Sequence, residues 1–218
     1  MAEESARQGC LLVHYSTDYV FDGTKTEPYV EDDPPNPLNA YGRSKLAGEE
    51  AIRASGARHL IFRTGWIYGA RGKNFLRTIL RLAEEREELR VVADQFGAPT
   101  WSRLVAEVTA QILAQRIAPG GEGRFEDVQG TYHLTASGNT SWHGFAQAII
   151  ESARRLCPDL ALKAQRIAAI PASGYPTLAR RPGNSRLNCT RLQQDSGFIL
   201  LPEWEVCLEH CLQEMLPE

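Results

Sequence analysis

An α/β fold built on a parallel sheet is the class this sequence predicts, and three observations predict it. Apolar strand-like runs alternate with amphipathic helical stretches along most of the chain. Leu60, Ile61 and Phe62 are apolar at consecutive positions, as a strand buried on both faces requires. The apolar run Leu11-Leu12-Val13 leads through Ser16 and Thr17 into a polar turn at Asp22-Gly23, with a helical stretch beyond it.

In order, residues 1–9 read as the last turns of a helix closed by Gly9. A strand over 10–17 and a loop over 18–39, rich in Pro, Asp and Thr, come next. A helix is predicted over 40–55, ended by Gly56, and then the strand 59–64. The helix near 74–87 should turn Phe75, Ile79, Leu80, Leu82 and Ala83 inward, before a strand near 89–92. Pro99-Thr100 introduces a helix over 101–117 with the stripe Leu104, Val105, Val108, Ile112 and Leu113. Residues 119–130, with Gly120-Gly121-Glu122-Gly123, read as a surface loop. A strand from Thr131 to Thr135 precedes a helix capped by Ser141 and running to about Cys157. Strand-like Arg166 to Ile170, a long irregular segment and a helix from Trp204 complete the order.

At 218 residues, 43% hydrophobic and 23% charged, the chain has the composition of a globular protein with ample material for a core. A net charge of −3 offers no sign of a nucleic-acid partner. No apolar run approaches the roughly 20 residues that span a bilayer, so no membrane association is expected. Met1-Ala2-Glu3-Glu4 is too acidic for a signal peptide, and the cytoplasm is the expected location. Five scattered cysteines make no disulfide framework. Cys207 and Cys211 fall at helical spacing with Trp204, Leu208 and Leu212, which suits core thiols better than metal ligands.

Chemistry concentrates in Tyr41-Gly42-Arg43-Ser44-Lys45 and, upstream, Ser16-Thr17-Asp18. Residues four apart on a helix share a face, so the Tyr41 hydroxyl and the Lys45 ammonium can point into one cleft. A tyrosine ordinarily titrates near pH ~10, and a fixed cation draws the phenol toward the working range. Thr17, at the end of an apolar strand, can hydrogen-bond a carbonyl oxygen. Together these groups are suited to reducing a ketone with hydride from a nicotinamide. A Tyr-x-x-x-Lys spacing alone is weak evidence, because most such pairs lie on solvated helix faces.

Longer motifs add weight. Ser16-Thr17-Asp18-Tyr19-Val20-Phe21-Asp22-Gly23, Pro37 through Glu49, Asp94-Gln95-Phe96-Gly97-Ala98-Pro99-Thr100, Arg181-Pro182-Gly183-Asn184-Ser185-Arg186-Leu187 and Leu201-Pro202-Glu203-Trp204 occur in that order. Over nearly its whole length the sequence resembles the dTDP-4-dehydrorhamnose reductases, extended short-chain dehydrogenases/reductases. The resemblance implies a partial Rossmann-type parallel sheet with helices and a smaller C-terminal substrate-binding lobe. Residues 1–118 would form the C-terminal part of the NAD(P)-binding domain and 119–218 most of the lobe, the two interleaving.

It implies reduction of the 4-keto group of dTDP-4-dehydro-β-L-rhamnose to dTDP-β-L-rhamnose by NADPH or NADH, in dTDP-rhamnose biosynthesis. Thr17, Tyr41 and Lys45 would be catalytic. Tyr41 would give the proton, Lys45 would lower the Tyr41 pKa and bind the nicotinamide ribose, and Thr17 would orient the keto oxygen. Thr17, Asp18 and Trp66 would contact the sugar, Trp66 by laying a planar ring on the pyranose; a core tryptophan at a strand end is its plainer reading. Arg180 and Arg181 suit either a diphosphate or a structural lock of the C-terminal lobe, and Asn74-Phe75 either the nucleotide or a helix N-cap. Arg103 stands where some members carry a metal-binding glutamate, so no metal is expected.

No strand, Gly-rich turn and helix for a dinucleotide pyrophosphate is found in the sequence. The family's Asn-Ala-Ala-Ala-type strand end before Ser16 is absent too. The expectation is therefore a chain that starts in the middle of a Rossmann fold, with about 80 residues needed to supply the first half. The strand 10–17 would then sit at an unpaired sheet edge, lowering solubility, and the activity of this chain alone would be in doubt. A homodimer, or a partner that supplies the other half, is the expected assembly. The competing reading is a non-catalytic binding module resembling the regulatory β subunit of methionine adenosyltransferase.

Overall fold

The structure, a computed structural model, describes residues 1–117, 129–197 and 199–216. The turn expected at Gly120-Gly121-Glu122-Gly123 lies outside the described residues. Two units emerge, and each takes three segments of chain: residues 1–65, 105–135 and 179–200 form the first, and 66–104, 136–178 and 201–218 the second.

The first unit is organised by a three-stranded parallel sheet in the order β1 (Leu12–Thr17), β2 (His59–Thr64) and β7 (Gly130–His133). β2 is central, and Leu60, Ile61 and Phe62 are fully buried, as their unbroken apolar run predicts. Register pairs Ser16 with Arg63 and Thr17 with Thr64. Helix α1 (Ala2–Gln8) precedes β1 and stops at Gly9, whose φ of 66° a residue with a Cβ adopts reluctantly. The strand starts two residues later than predicted, because the Cys10 amide bonds to the Ser5 carbonyl and so closes the helix.

Strand periodicity decides which helix covers which face of the sheet. His14 and Ser16 face α2 (Ala40–Ala54), which they meet through Lys45 and Glu49. Tyr15 points the other way and donates to Thr109 of α4 (Ser102–Ile117) at 2.9 Å. Among the described residues no strand pairs with the outer side of β1, where Tyr15 is 42% exposed. A short helix, α6 (Thr190–Ser196), buries Leu192, and Asp195 accepts a hydrogen bond from Tyr132 of β7.

The second unit has three two-stranded ladders. β4 (Glu88–Val92) runs parallel to β9 (Arg166–Ile170), and β3 (Ile67–Tyr68) is parallel to β6 (Thr100–Trp101). β5 (Phe96–Gly97) is antiparallel to β8 (Thr140–Ser141). Around them α3 (Phe75–Glu85), α5 (Trp142–Leu156) and α7 (Trp204–Met215) bury Leu76, Tyr68, Phe145, Ile149 and Leu208. Ser141 caps α5 as predicted, accepting from the Gly144 amide at 3.0 Å. α3 turns Leu76, Ile79, Leu80 and Ala83 inward. Leu82 sits about 100° around the helix from Ala83 and is only half-buried, a correction to the predicted face. Cys207 and Cys211 are buried in α7, in the core positions their spacing predicts.

Candidate active site

Thr17 ends β1, and Asp18 opens a single turn of 3-10 helix over Asp18–Val20. The Thr17 hydroxyl caps that turn by accepting from the Tyr19 amide at 3.2 Å, and it donates to Asp18 Oδ1 at 3.0 Å. Asp18 is buried at 3% exposure, and its Oδ2 has no hydrogen-bond partner. Burial pushes its pKa up to about 6; Ser185 and Thr17 pull the other way, Ser185 without closing a well-formed bond. The carboxyl lies flat against Gly65, just beyond the end of β2. A Cβ there would fall 2.6 Å from Asp18 Cγ, so the site requires glycine at that position.

Tyr41 stands in the first turn of α2. Asn39 caps the helix, accepting from the Gly42 amide at 2.9 Å, and its amide nitrogen donates to the Arg180 carbonyl at 3.0 Å. Gly42 lets the helix seat on the Asp18–Val20 turn, since a Cβ there would lie 2.2 Å from the Tyr19 carbonyl oxygen. The Tyr41 ring meets Tyr19 edge-on at 5.9 Å. Tyr41 is 55% exposed, and among the described residues its hydroxyl makes no hydrogen bond. Thr17, Asp18 and the Tyr41 turn therefore belong to one packed corner of the first unit.

Lys45 follows one turn later. Its ammonium donates to the Tyr15 carbonyl at 2.5 Å and lies 3.4 Å from His14 Nε2. Burial lowers the His14 pKa, and the Lys45 charge lowers it further. The expected sharing of a helix face is present, but here the ammonium is anchored to β1 and makes no hydrogen bond to the Tyr41 phenol.

The next position on that face, Glu49, carries a part of the site that the sequence reading missed. Glu49 is fully buried and meets Arg63, itself 3% exposed, through Nε at 3.0 and 3.2 Å and Nη2 at 2.7 Å. Ser16 donates to Glu49 Oε1 at 2.5 Å, and Arg53 Nη1 reaches Oε2 at 3.3 Å. Burial alone would raise the Glu49 pKa, but Arg63, Ser16 and Arg53 outweigh it and hold the carboxyl below its ordinary value. Arg63 Nη1 continues to the Glu31 carbonyl, and the Glu31 carboxylate accepts from the His133 amide at 2.9 Å. The only sequence signal was an arginine inside an apolar strand, together with a glutamate in step with Tyr41 and Lys45.

Trp66 belongs to the second unit. It has a φ of 52°, the only left-handed non-glycine residue among those described. Its indole lies face to face with Trp142, centroids 3.5 Å apart and planes 2° from parallel. Gly97 closes on it so tightly that a Cβ would fall 2.4 Å from Trp66 Nε1. One face of the ring expected to meet a pyranose is thus covered by Trp142. Asn74 is the N-cap of α3, accepting from the Arg77 amide at 3.1 Å, and Phe75 packs on Trp142 and Phe145. Arg103 lies over the Trp101 ring. Arg180 and Arg181 are exposed. Nearby, the Asn184 amide nitrogen donates to the Lys25 and Glu27 carbonyls, both at 2.8 Å, which holds Asn184 against the 25–27 segment.

Comparison with known proteins identifies the family. The family described as the RmlD substrate binding domain matches residues 1–216. A dTDP-4-dehydrorhamnose reductase of Burkholderia thailandensis is 52% identical over 218 residues, covering 100% of this chain and 72% of that protein. The enzyme of the same name from Escherichia coli K12 is 47% identical over 215 residues, covering 99% and 69%. The crystal structure of dTDP-4-dehydrorhamnose reductase from Bacillus anthracis in complex with NADP superposes with a TM-score of 0.84 at 35% identity, covering 98% of this chain and 69% of that one. Nothing in these comparisons supports a regulatory binding subunit.

Proposed function

The chain belongs to the dTDP-4-dehydrorhamnose reductase family, and from that membership we propose that its first unit carries the acid–base residues of the reaction. The activity is an oxidoreductase one: the 4-keto group of dTDP-4-dehydro-β-L-rhamnose is reduced to the alcohol of dTDP-β-L-rhamnose at the expense of NADPH. The observation that carries the assignment is the Tyr41 hydroxyl, exposed and without an internal partner, on a helix turn seated by Gly42 against the Thr17–Asp18 turn.

The residues present fit the reacting end of a nicotinamide cofactor, because an available phenol and an ammonium follow one another on α2. Among the described residues no strand, Gly-rich turn and helix provide a cradle for its pyrophosphate. When bound, the cofactor supplies hydride to the keto carbon. Tyr41 gives a proton to the keto oxygen, so that hydride plus proton makes the alcohol. The residual phenolate needs a cation, and Lys45 supplies one by exchanging its bond to the Tyr15 carbonyl for the phenol and the cofactor ribose. Thr17 orients the keto oxygen. Asp18 already accepts its hydroxyl hydrogen, so Thr17 must release that bond, or the Asp18 carboxyl must hold the proton, before it can donate to substrate. Trp66 is proposed to contact the sugar.

The test is conversion by the full-length protein of dTDP-4-dehydro-β-L-rhamnose with NADPH, the product identified by NMR. Stoichiometric dTDP-β-L-rhamnose is expected. NADPH left unconsumed by a folded, full-length preparation would overturn the reading.

A further inference from the structure

We propose that Glu49 is a positioning residue for the reaction: through Ser16 and Arg63 it fixes the end of β1, where Thr17 stands, to the helix that carries Tyr41 and Lys45. The proposal rests on the reductase reading above and assigns to the buried cluster a role that stability alone does not explain.

The geometry begins with the helix. Lys45, Glu49 and Arg53 recur every fourth position of α2, and each engages the sheet in turn. Lys45 bonds to the β1 backbone, Glu49 to Ser16 of β1 and Arg63 of β2, and Arg53 to Thr131 of β7 at 3.3 Å. Successive turns thus grip successive strands, and the helix has one height along the sheet at which all three contacts are made. A one-residue slide would move Tyr41 by about 1.5 Å, and an error of about 1 Å in a reacting group can cost about 10²-fold in rate.

Ser16 makes the link specific to the chemistry. It precedes Thr17 directly, pairs with Arg63 across the sheet, and gives its hydroxyl hydrogen to the same carboxylate that Arg63 holds in two-pronged fashion. The guanidinium is fixed on its other side by the Glu31 carbonyl and lies 5.2 Å from the Phe21 ring centroid. Every charge in the cluster is therefore directed, and the carboxylate cannot turn without releasing Ser16 or Arg63. A buried ion pair adds little stability over well-packed apolar side chains, whereas it enforces one geometry.

The experiment compares the full-length wild type with Ser16→Ala, Glu49→Gln and, as a control, Tyr41→Phe. Ser16→Ala keeps the ion pair and removes only the bond to β1. Its melting temperature should stay close to that of wild type. kcat should fall about tenfold while KM for dTDP-4-dehydro-β-L-rhamnose moves by less than about twofold. Glu49→Gln should reproduce that split with a larger loss of kcat, measured on the fraction that folds. If Ser16→Ala retains wild-type kcat while Tyr41→Phe loses turnover, the reductase reading stands and the positioning role is wrong. A Ser16→Ala protein that melts far lower, with kcat per folded molecule unchanged, would show a merely structural bond and would equally overturn the proposal. Wild-type protein without turnover would remove the reading and the inference together.

Discussion

The two units build their interiors from different materials. Of the buried polar and charged side chains among the described residues, all but Thr100 lie in the first unit, including the buried ionisable groups Asp18, Glu31, Glu49, Arg63 and His133. The second unit is filled instead by rings and aliphatics: Tyr68 tilted on Phe145 at 5.3 Å, Phe75 stacked on Phe145, and Trp204 edge-on to the same ring. Buried charge is expensive unless every group is partnered, so its concentration around Thr17, Tyr41 and Lys45 marks where geometry matters more than stability. The aromatic unit packs rings where the first unit sets charged side chains. One interior specifies positions and the other fills volume.

The contrast can be broken most sharply at Tyr41. Tyr41→Phe removes one exposed hydroxyl and should lower turnover by about 10²- to 10⁴-fold, the usual worth of a general acid, with unchanged melting and nearly unchanged affinity for the nucleotide sugar. Unaltered turnover would remove the polar corner from the chemistry. Next come the two cores themselves. Glu49→Ala leaves the Arg63 charge buried and uncompensated, and should cost about 3–5 kcal/mol in urea unfolding. Phe145→Ala should cost about 3–5 kcal/mol for a different reason, a cavity among the rings, and should leave kcat per folded molecule unchanged. A Phe145→Ala protein with normal stability would deny that the rings hold the second unit together.

Gly65→Ala is a finer probe. Its methyl would press on the Asp18 carboxyl, and overpacking of this kind costs about 1–3 kcal/mol. Equal melting of variant and wild type would mean that the carboxyl moves freely.

The last effect is one of pH. Asp18, raised from 3.8 to about 6, binds its proton more tightly folded than unfolded, so its contribution to stability declines as pH climbs through that window, by about 3 kcal/mol in all. His133, lowered from 6.5 to about 3 by burial and by the charge of Arg63, acts in the opposite sense and favours folding as pH rises between those values. Asp18→Asn should therefore melt above wild type at pH 8, with the gap closing near pH 4. A constant gap across that range, in calorimetry, would refute the burial of an ionisable carboxyl.

The two interiors differ in how far the sequence reveals them. Thr17, Tyr41 and Lys45 were legible because each sits in a local pattern: a strand end, a capped helix start, an i to i+4 pair. The predicted strand 59–64 and helix 101–117 were legible from periodicity and fall within a residue of β2 and α4. The burial of Asp18 was not legible, since it depends on the register that sets Gly65 beside the end of β1. Nor was Glu49 with Arg63, a pairing made only when α2 folds back over β2. The Trp66–Trp142 stack joins residues 76 positions apart in sequence, and β3, β5, β6 and β8, two residues each, are too short for any alternation to show.

The central claim is that the polar corner of the first unit directs hydride to the sugar's carbonyl carbon while Tyr41 supplies the proton. Its most direct test is a single turnover with NADPH deuterated at the transferring position of the nicotinamide, followed by NMR of the nucleotide sugar. Deuterium at C4 of the dTDP-β-L-rhamnose formed, lost in the Tyr41→Phe variant, is the result expected. NADPH oxidised with an unlabelled sugar, or with label at a carbon other than C4, would contradict it.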